Sequence, residues 1–293
     1  MIRNMILIII IILLILLGLI VWQSKKNKEA KINFNQSKQI TNKAMPQNEK
    51  LKLNNLELIV VFDNNEFDQR LQTGWGFSCY IKTQQSDWLF DTGADGQVLL
   101  SNMRKLKLEP QSVKHLFLSH IHNDHVGGVN DFLTKNSNVN VYLPGIFPED
   151  FKNQIKEITP EVLQITDFKA LTDNFYSSGV LGTEPKEQAL VIETKQGLVV
   201  LTGCAHPGIV EILETVKNQF DQPILLVLGG FHLDSAGLEK TKNIVQAFKD
   251  LNVKYAAPCH CSGEITQRLF EEEYKENYIE IGAGKSIRLA DLK

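Results

Sequence analysis

Little net charge and few cysteines limit what this chain can do. The formal charge is only -3 over 293 residues, and no basic tract appears outside the N-terminal flank. Nothing in it therefore offers the electropositive surface that nucleic acid requires, and the expected partner is a small molecule. The four cysteines, Cys79, Cys204, Cys259 and Cys261, suggest no disulfide framework. No exact internal repeat is present. Charge is also missing from Met5 to Trp22, "MILIIIIILLILLGLIVW", 18 residues long. As a helix this run spans roughly 27 Å, the thickness of a bilayer's hydrocarbon core. It predicts a single-pass membrane anchor over residues 1–23. A cleaved signal peptide is the rival reading, but the run exceeds the usual apolar core of one and no small-x-small cleavage site follows, only "VWQSKK". No cysteine follows either, which argues against a lipoprotein.

What is present divides the rest of the chain in two. Residues 24–54 are rich in Lys, Asn and Gln and poor in large apolar groups, as a solvated tether would be. Lys25, Lys26, Lys28 and Lys31 outnumber Arg3 on the other side of the apolar run, which favours a cytoplasmic C-terminal domain. The whole sequence is 43% hydrophobic and 22% charged, enough for one domain with a sizeable core over 55–293. From Leu56 the pattern becomes short β-branched runs separated by turn signals: "LELIVVF" (56–62), "FSCYIK" (77–82), "DWLF" (87–90), "HLFLS" (115–119), "NVNVYL" (138–143), and later "ALVIET", "LVVLTG", "ILLVLGG", "YAAPC" and "SIRLA". Helices are predicted over Gln97–Leu106, Gly128–Thr134, Ile209–Phe220, Leu238–Leu251 and Glu264–Tyr274. Strands in succession, then alternating with helices, twice over, predict an α/β fold of sheets sandwiched between helices.

Between "HLFLS" and the helix opened by Gly127-Gly128 lies "SHIHNDHVGG" (119–128), with three of the seven histidines and an aspartate inside six positions. His120 and His122 are two apart, so an extended backbone puts both rings on one face, where they can share a metal ion. Asp124 and His125 follow as the chain turns and offer oxygen and nitrogen to a second ion; such donors suit Zn, Mn or Fe(II). One loop cannot complete two coordination spheres. Isolated histidines recur at other strand ends: His206 in "LTGCAHPG", His232 in "LGGFHLD" and His260 in "APCHCSG". Any one of them alone reads as a satisfied core or capping imidazole, but the recurrence favours ligation, most for His206 and His260. His115, inside a strand and out of phase with the loop, reads as structural.

"SHIHNDHVGG" resembles the H-x-H-x-D-H signature of the metallo-β-lactamase superfamily. "VVFDN" (60–64), "GWGFSCYI" (74–81), "LFDTG" (89–93), "TGCAHPGIVEIL" (202–213), "LGGFHL" (228–233) and "CHCSG" (259–263) resemble one branch, the 7,8-dihydropterin-6-methyl-4-(β-D-ribofuranosyl)aminobenzene-5'-phosphate synthase-like proteins. The resemblance implies a four-layered αββα sandwich with two divalent ions, zinc first, at one edge. One ion would take His120, His122 and His206, the other Asp124, His125 and His260. Asp91 would orient a ligand from behind. The position that in many relatives carries a bridging Asp reads "LGGFHLD", so His232 is left as a ligand, a substrate contact or a lining residue. A hydrolase acting through activated water on an ester or phosphoester is expected, with Asp124 guiding the nucleophile. A transferase of the branch's type and a metal-binding sensor without turnover are the alternatives. Lys285 in "GAGKS" is a weaker candidate for meeting substrate anions. Cys204, Cys259 and Cys261 read as small buried residues, with thiolate ligation or redox sensing as the other reading. Residues 144–188 are expected either to shape the mouth of the cleft or to pack Phe147, Phe168, Phe175 and Tyr176 on the core.

Overall fold

The structure, a computed structural model, describes residues 52–292. The run Met5–Trp22 and nearly all of the expected tether lie outside them. Leu53, near that tether's end, is buried and pairs with Thr194 in an isolated bridge. Among the described residues no helix is long and apolar enough to cross a membrane.

The first half lays down β1 (Leu56–Phe62), β2 (Ser78–Thr83), β3 (Asp87–Phe90), α1 (Gly96–Lys105), β4 (Val113–Phe117), α2 (Asn123–Val126), α3 (Val129–Lys135), β5 (Asn140–Pro144), α4 (Glu149–Ile158) and β6 (Glu161–Ile165). The second half lays down β7 (Lys169–Thr172), β8 (Phe175–Ser177), β9 (Leu190–Thr194), β10 (Gly197–Thr202), α5 (Ile209–Gln219), β11 (Ile224–Gly230), α6 (Leu238–Asp250), β12 (Tyr255–Cys259) and α7 (Glu264–Tyr274). A last strand, β13 (Ser286–Arg288), returns to β1. Among the described residues one sheet has the order β13-β1-β2-β3-β4-β5-β6 and the other β12-β11-β10-β9-β8-β7. Each sheet is antiparallel at one side and parallel at the other: β3 to β6 run parallel, as do β10 to β12. Parallel neighbours need crossovers, which explains the helices, and they bring the carboxyl ends of their strands to a common edge.

Side-chain alternation divides the apolar residues into three layers. Trp88 and Phe90 of β3 and Val199 and Leu201 of β10 point between the sheets. Leu89 faces α1 and α3, whereas Leu198 and Val200 face α5. The order helix, sheet, sheet, helix follows. Trp88 stacks on Phe175 of the opposite sheet with centroids 4.3 Å apart and planes 5° from parallel. On α5 the buried residues Ile209, Ile212, Leu213 and Val216 form one stripe, the 3.6-residue period of an amphipathic helix. Pro258 sits in β12, an edge strand, where its missing N–H costs no ladder bond.

Two sequence expectations change. The segment 144–188 supplies β6, β7 and β8, which extend both sheets; Phe147 and Phe175 are core residues, and Phe168 stacks on Tyr176 at 5.9 Å. These strands are three to five residues long and partly exposed, so they carry no hydrophobic alternation to read. The helix expected from Gly128 begins at Val129, and an extra helical turn, α2, precedes it within the histidine loop. His115 is structural as expected: its ring stacks on Trp88 at 4.2 Å, its Nδ1 lies 3.1 Å from the Tyr142 hydroxyl, and burial pushes its pKa down to about 4.

Candidate metal centre

After β4 the chain leaves the sheet at Leu118 and meets Asp91, which follows β3. One carboxylate oxygen of Asp91 accepts from Ser119 N–H at 2.7 Å; the other accepts from Ser119 Oγ at 2.7 Å and lies 2.7 Å from His125 Nδ1. Ser119 Oγ in turn lies 3.0 Å from His120 Nδ1. Both imidazoles are thus held by Nδ1 from behind, and their Nε2 atoms face forward. His122 precedes α2, and at Gly127 a Cβ would collide with the carbonyl oxygens of Ala94 and Asn123, so only glycine lets the loop lie this close to the β3 turn.

The second half delivers its donors one loop at a time. Glu187, fully buried, accepts from the N–H groups of Gly203 (2.9 Å), Cys204 (3.0 Å) and Ala205 (3.0 Å) through Oε1 and from His206 N–H (2.9 Å) through Oε2. That one carboxylate shapes the whole turn bearing His206. Asn64, after β1, braces His260: its Oδ1 lies 3.0 Å from His260 Nδ1, and its Nδ2 donates to the His260 carbonyl at 3.3 Å. Asp91, Ala205, His232 and His260 all have φ between 50° and 59°. Positive φ is unfavourable for residues with a side chain, and four such residues mark the ends of β3, β10, β11 and β12, where the chain turns to present donors.

The rings converge. His120, His122 and His206 form a triangle with all three centroid separations at 4.8 Å. His125 and His260 are 5.0 Å apart, and Asp124 Oδ2 lies 3.6 Å from His125 Nε2 and 3.2 Å from His260 Nε2. The Nε2 atoms of His120 and His206 are buried and have no hydrogen-bond partner, and His260 Nε2 faces the Asp124 carboxylate. Unpaired buried nitrogens cost roughly 1–3 kcal/mol each unless something fills the space between them. Nitrogen and carboxylate donors at these spacings fit two divalent ions, with ligand distances of about 2.0–2.2 Å for zinc. The residues of both expected ligand sets are brought together, and Asp91 contacts Ser119 and His125 from behind them.

The electrostatics agree with that geometry. Burial, then the neighbouring imidazoles, hold His120 well below its ordinary pKa, and the same causes bring His206 to about 4, so both stay neutral and able to ligate. Burial opposes charge on His125, but Asp91 overcomes it and raises its pKa. Burial also lifts Asp124, yet the hydrogen bond to His260 and the charge of His125 outweigh it and hold the carboxyl at about 2. Burial raises Glu187 to about 7 against the pull of its backbone donors.

Some residues fall elsewhere. His232 is exposed, with its ring 4.4 Å from that of His206. Lys285 lies over the ring of Phe67 at 4.6 Å. The four cysteines are free and buried. Cys259 lies in the inter-sheet core, but Cys204 and Cys261 face the donors: Cys204 Sγ is 3.2 Å from His125 Nε2, and Cys204, His232 and Cys261 form a donor group of their own. Extended geometry would point Cys261 away from His260; the 3-10 turn His260–Ser262 replaces it. Residue patterns alone assigned no role to Glu187, Asn64 or Trp75. Trp75 is 56% exposed, with its ring 4.8 Å from that of His260. Asn64 and Trp75 lie in "VVFDN" and "GWGFSCYI", a usable signal, whereas Glu187 has none.

The metallo-beta-lactamase superfamily model matches residues 77–260, more than half of the chain. The chain is 28% identical over 245 residues to the 7,8-dihydropterin-6-methyl-4-(beta-D-ribofuranosyl)-aminobenzene-5'-phosphate synthase of Methanocaldococcus jannaschii, covering 68% of this chain and 83% of that protein. Among solved structures it resembles Tm1679, described as a metal-dependent hydrolase of the beta-lactamase superfamily, with 28% identity, a TM-score of 0.67 and coverage of 79% and 98% of the two chains. It also shares the fold of YhfI from Bacillus subtilis, at 13% identity, a TM-score of 0.60 and coverage of 80% and 99%.

Proposed function

The chain belongs to the metallo-β-lactamase superfamily, and from that premise we propose a metal-dependent hydrolase that attacks an ester or phosphoester of a small molecule. The observation that carries the proposal is the convergence of two buried, unpartnered Nε2 atoms, from His120 and His206, with the paired His260 imidazole and ionised carboxylate of Asp124. His120, His122 and His206 would hold one divalent ion, and Asp124, His125 and His260 the other. Bound there, such ions supply Lewis acidity, which lowers the pKa of water from about 15.7 toward ~7 and steadies developing negative charge. Asp124 accepts a hydrogen bond from the attacking water and fixes the direction of its lone pair. Asp91 and Asn64 keep His125 and His260 from rotating, and Glu187 keeps His206 in place. Trp75 offers an exposed apolar wall beside His260 against which a planar substrate group can lie.

A transferase joining a dihydropterin to an aryl ribose phosphate is the second reading, favoured by the 28% identity to the M. jannaschii synthase. In either case the run Met5–Trp22 would tether the domain to a membrane. The deciding experiment is metal analysis of the purified chain with a panel of phosphate esters and lactones. Two divalent ions per chain and metal-dependent release of alcohol or phosphate support the hydrolase. Condensation without net consumption of water supports the transferase, and metal uptake with neither reaction supports a sensor.

A further inference from the structure

We propose that Cys204 is a ligand shared by the two metal subsites. The inference rests on the reading of the cleft as a two-metal centre and adds a donor to it. Cys204 lies in one donor group with Asp124, His125 and His260 and in another with His120 and His206, and in each group the donor atoms are all within 4.8 Å of one another. Among the described residues no other side chain belongs to both of those groups. Its Sγ is 3.2 Å from His125 Nε2, and the residue is 3% exposed. The turn that carries it is not free to move, because Glu187 Oε1 accepts from its N–H and from those on either side.

Two further observations point to a ligand in the same space. The Nε2 atoms of His120, a residue 0% exposed, and of His206 are buried without hydrogen-bond partners, and both residues belong to a group that contains Cys204. The acids that might bridge instead are engaged elsewhere. Asp124 joins only one of the two groups, Glu187 is occupied by four backbone donors, and Asp234 packs against Gly263. Cys261, the other nearby thiol, donates to the Cys204 carbonyl at 3.7 Å and joins His232 on the outer side.

Coordination here needs no oxidant: a metal–sulfur bond forms, the S–H bond breaks, and the proton leaves to the buffer. A soft sulfur added to imidazole and carboxylate favours zinc over manganese or magnesium. The test uses the full-length chain, stripped of metal and titrated with cobalt(II), which reports thiolate ligation by near-ultraviolet charge-transfer absorption. The band is expected to grow with the bound metal, to vanish in Cys204→Ser and to persist in Cys261→Ser. Cys204→Asp, which replaces the thiol by a carboxylate, should bind two ions without the band. X-ray absorption of the unmodified zinc-loaded chain, which depends on no variant folding, should show sulfur scattering at about 2.3 Å. Two bound ions with only nitrogen and oxygen neighbours, a band that survives Cys204→Ser, or one lost in Cys261→Ser would each overturn the assignment of Cys204 alone. Failure of the unmodified chain to bind cobalt or zinc at all would overturn the two-metal reading with it.

Discussion

The first half of the molecule gathers four donors into one loop after β4, whereas the second half delivers its histidines singly, from the turns after β10, β11 and β12. The two halves also brace them differently. Asp91 reaches across from the neighbouring strand end to a hydroxyl, an amide and an imidazole; Glu187 grips four consecutive backbone amides and touches no imidazole closer than the 3.9 Å to His120 Nδ1. A dense loop needs its side chains aimed, since its backbone already places them together. A single-donor turn needs its backbone fixed, since one histidine is useful only if the turn itself is held in register with the other sheet.

The largest effects should come from breaking one half at a time. His120→Ala and His206→Ala are each expected to lower activity by about 10³-fold or more, and the double variant by little more than either, because the ligands act as a unit. Losses that multiply would mean that the halves act independently. Next comes Asp124→Asn, with a loss in kcat of about 10²–10⁴-fold, measured under metal saturation to separate proton handling from ligation. Asp91→Asn and Glu187→Gln sharpen the comparison of the two braces: each should weaken metal binding by about 10–100-fold in a competition titration with a chelator. Trp75→Ala should raise KM about tenfold with kcat little changed, the sign of lost substrate contact that is equal in ground and transition states.

The smallest expected effect lies away from the cleft. His115 has a folded pKa near 4, below its ordinary 6.5. Between those values the unfolded chain takes up a proton that the folded chain refuses, so this residue's effect is nil above about pH 6.5 and destabilises progressively as the pH falls toward 4. Partial exposure limits it to about 1 kcal/mol. Urea denaturation across that window should show a shallower loss of stability in His115→Gln.

Much of the fold could be read from local signals. The helices α1, α5, α6 and α7 fall within about one residue of their expected bounds, because amphipathic stripes and flanking glycines are short-range features. Strands β6 to β8 could not be read, since their burial depends on what lies beside them rather than on their own alternation. The same division runs through the site. His120, His122, Asp124 and His125 announce themselves by spacing, and His206 and His260 by recurrence at strand ends. Glu187 carries no local mark, because its importance lies in the amides it meets some sixteen or more residues later. Cys204 reads as a small buried residue until its neighbours from β4 and β12 are in place.

By themselves, the residues determined which chemical groups were available and that strands alternating with helices would form sheets sandwiched between helices, since periodicity and turn chemistry act over a few positions. Tertiary structure alone decided which nitrogens face one another, which carboxylate fastens the His206 turn, and which thiol stands between the two donor sets. Those distances join segments far apart in the chain, and only the packing of one sheet on the other makes them short.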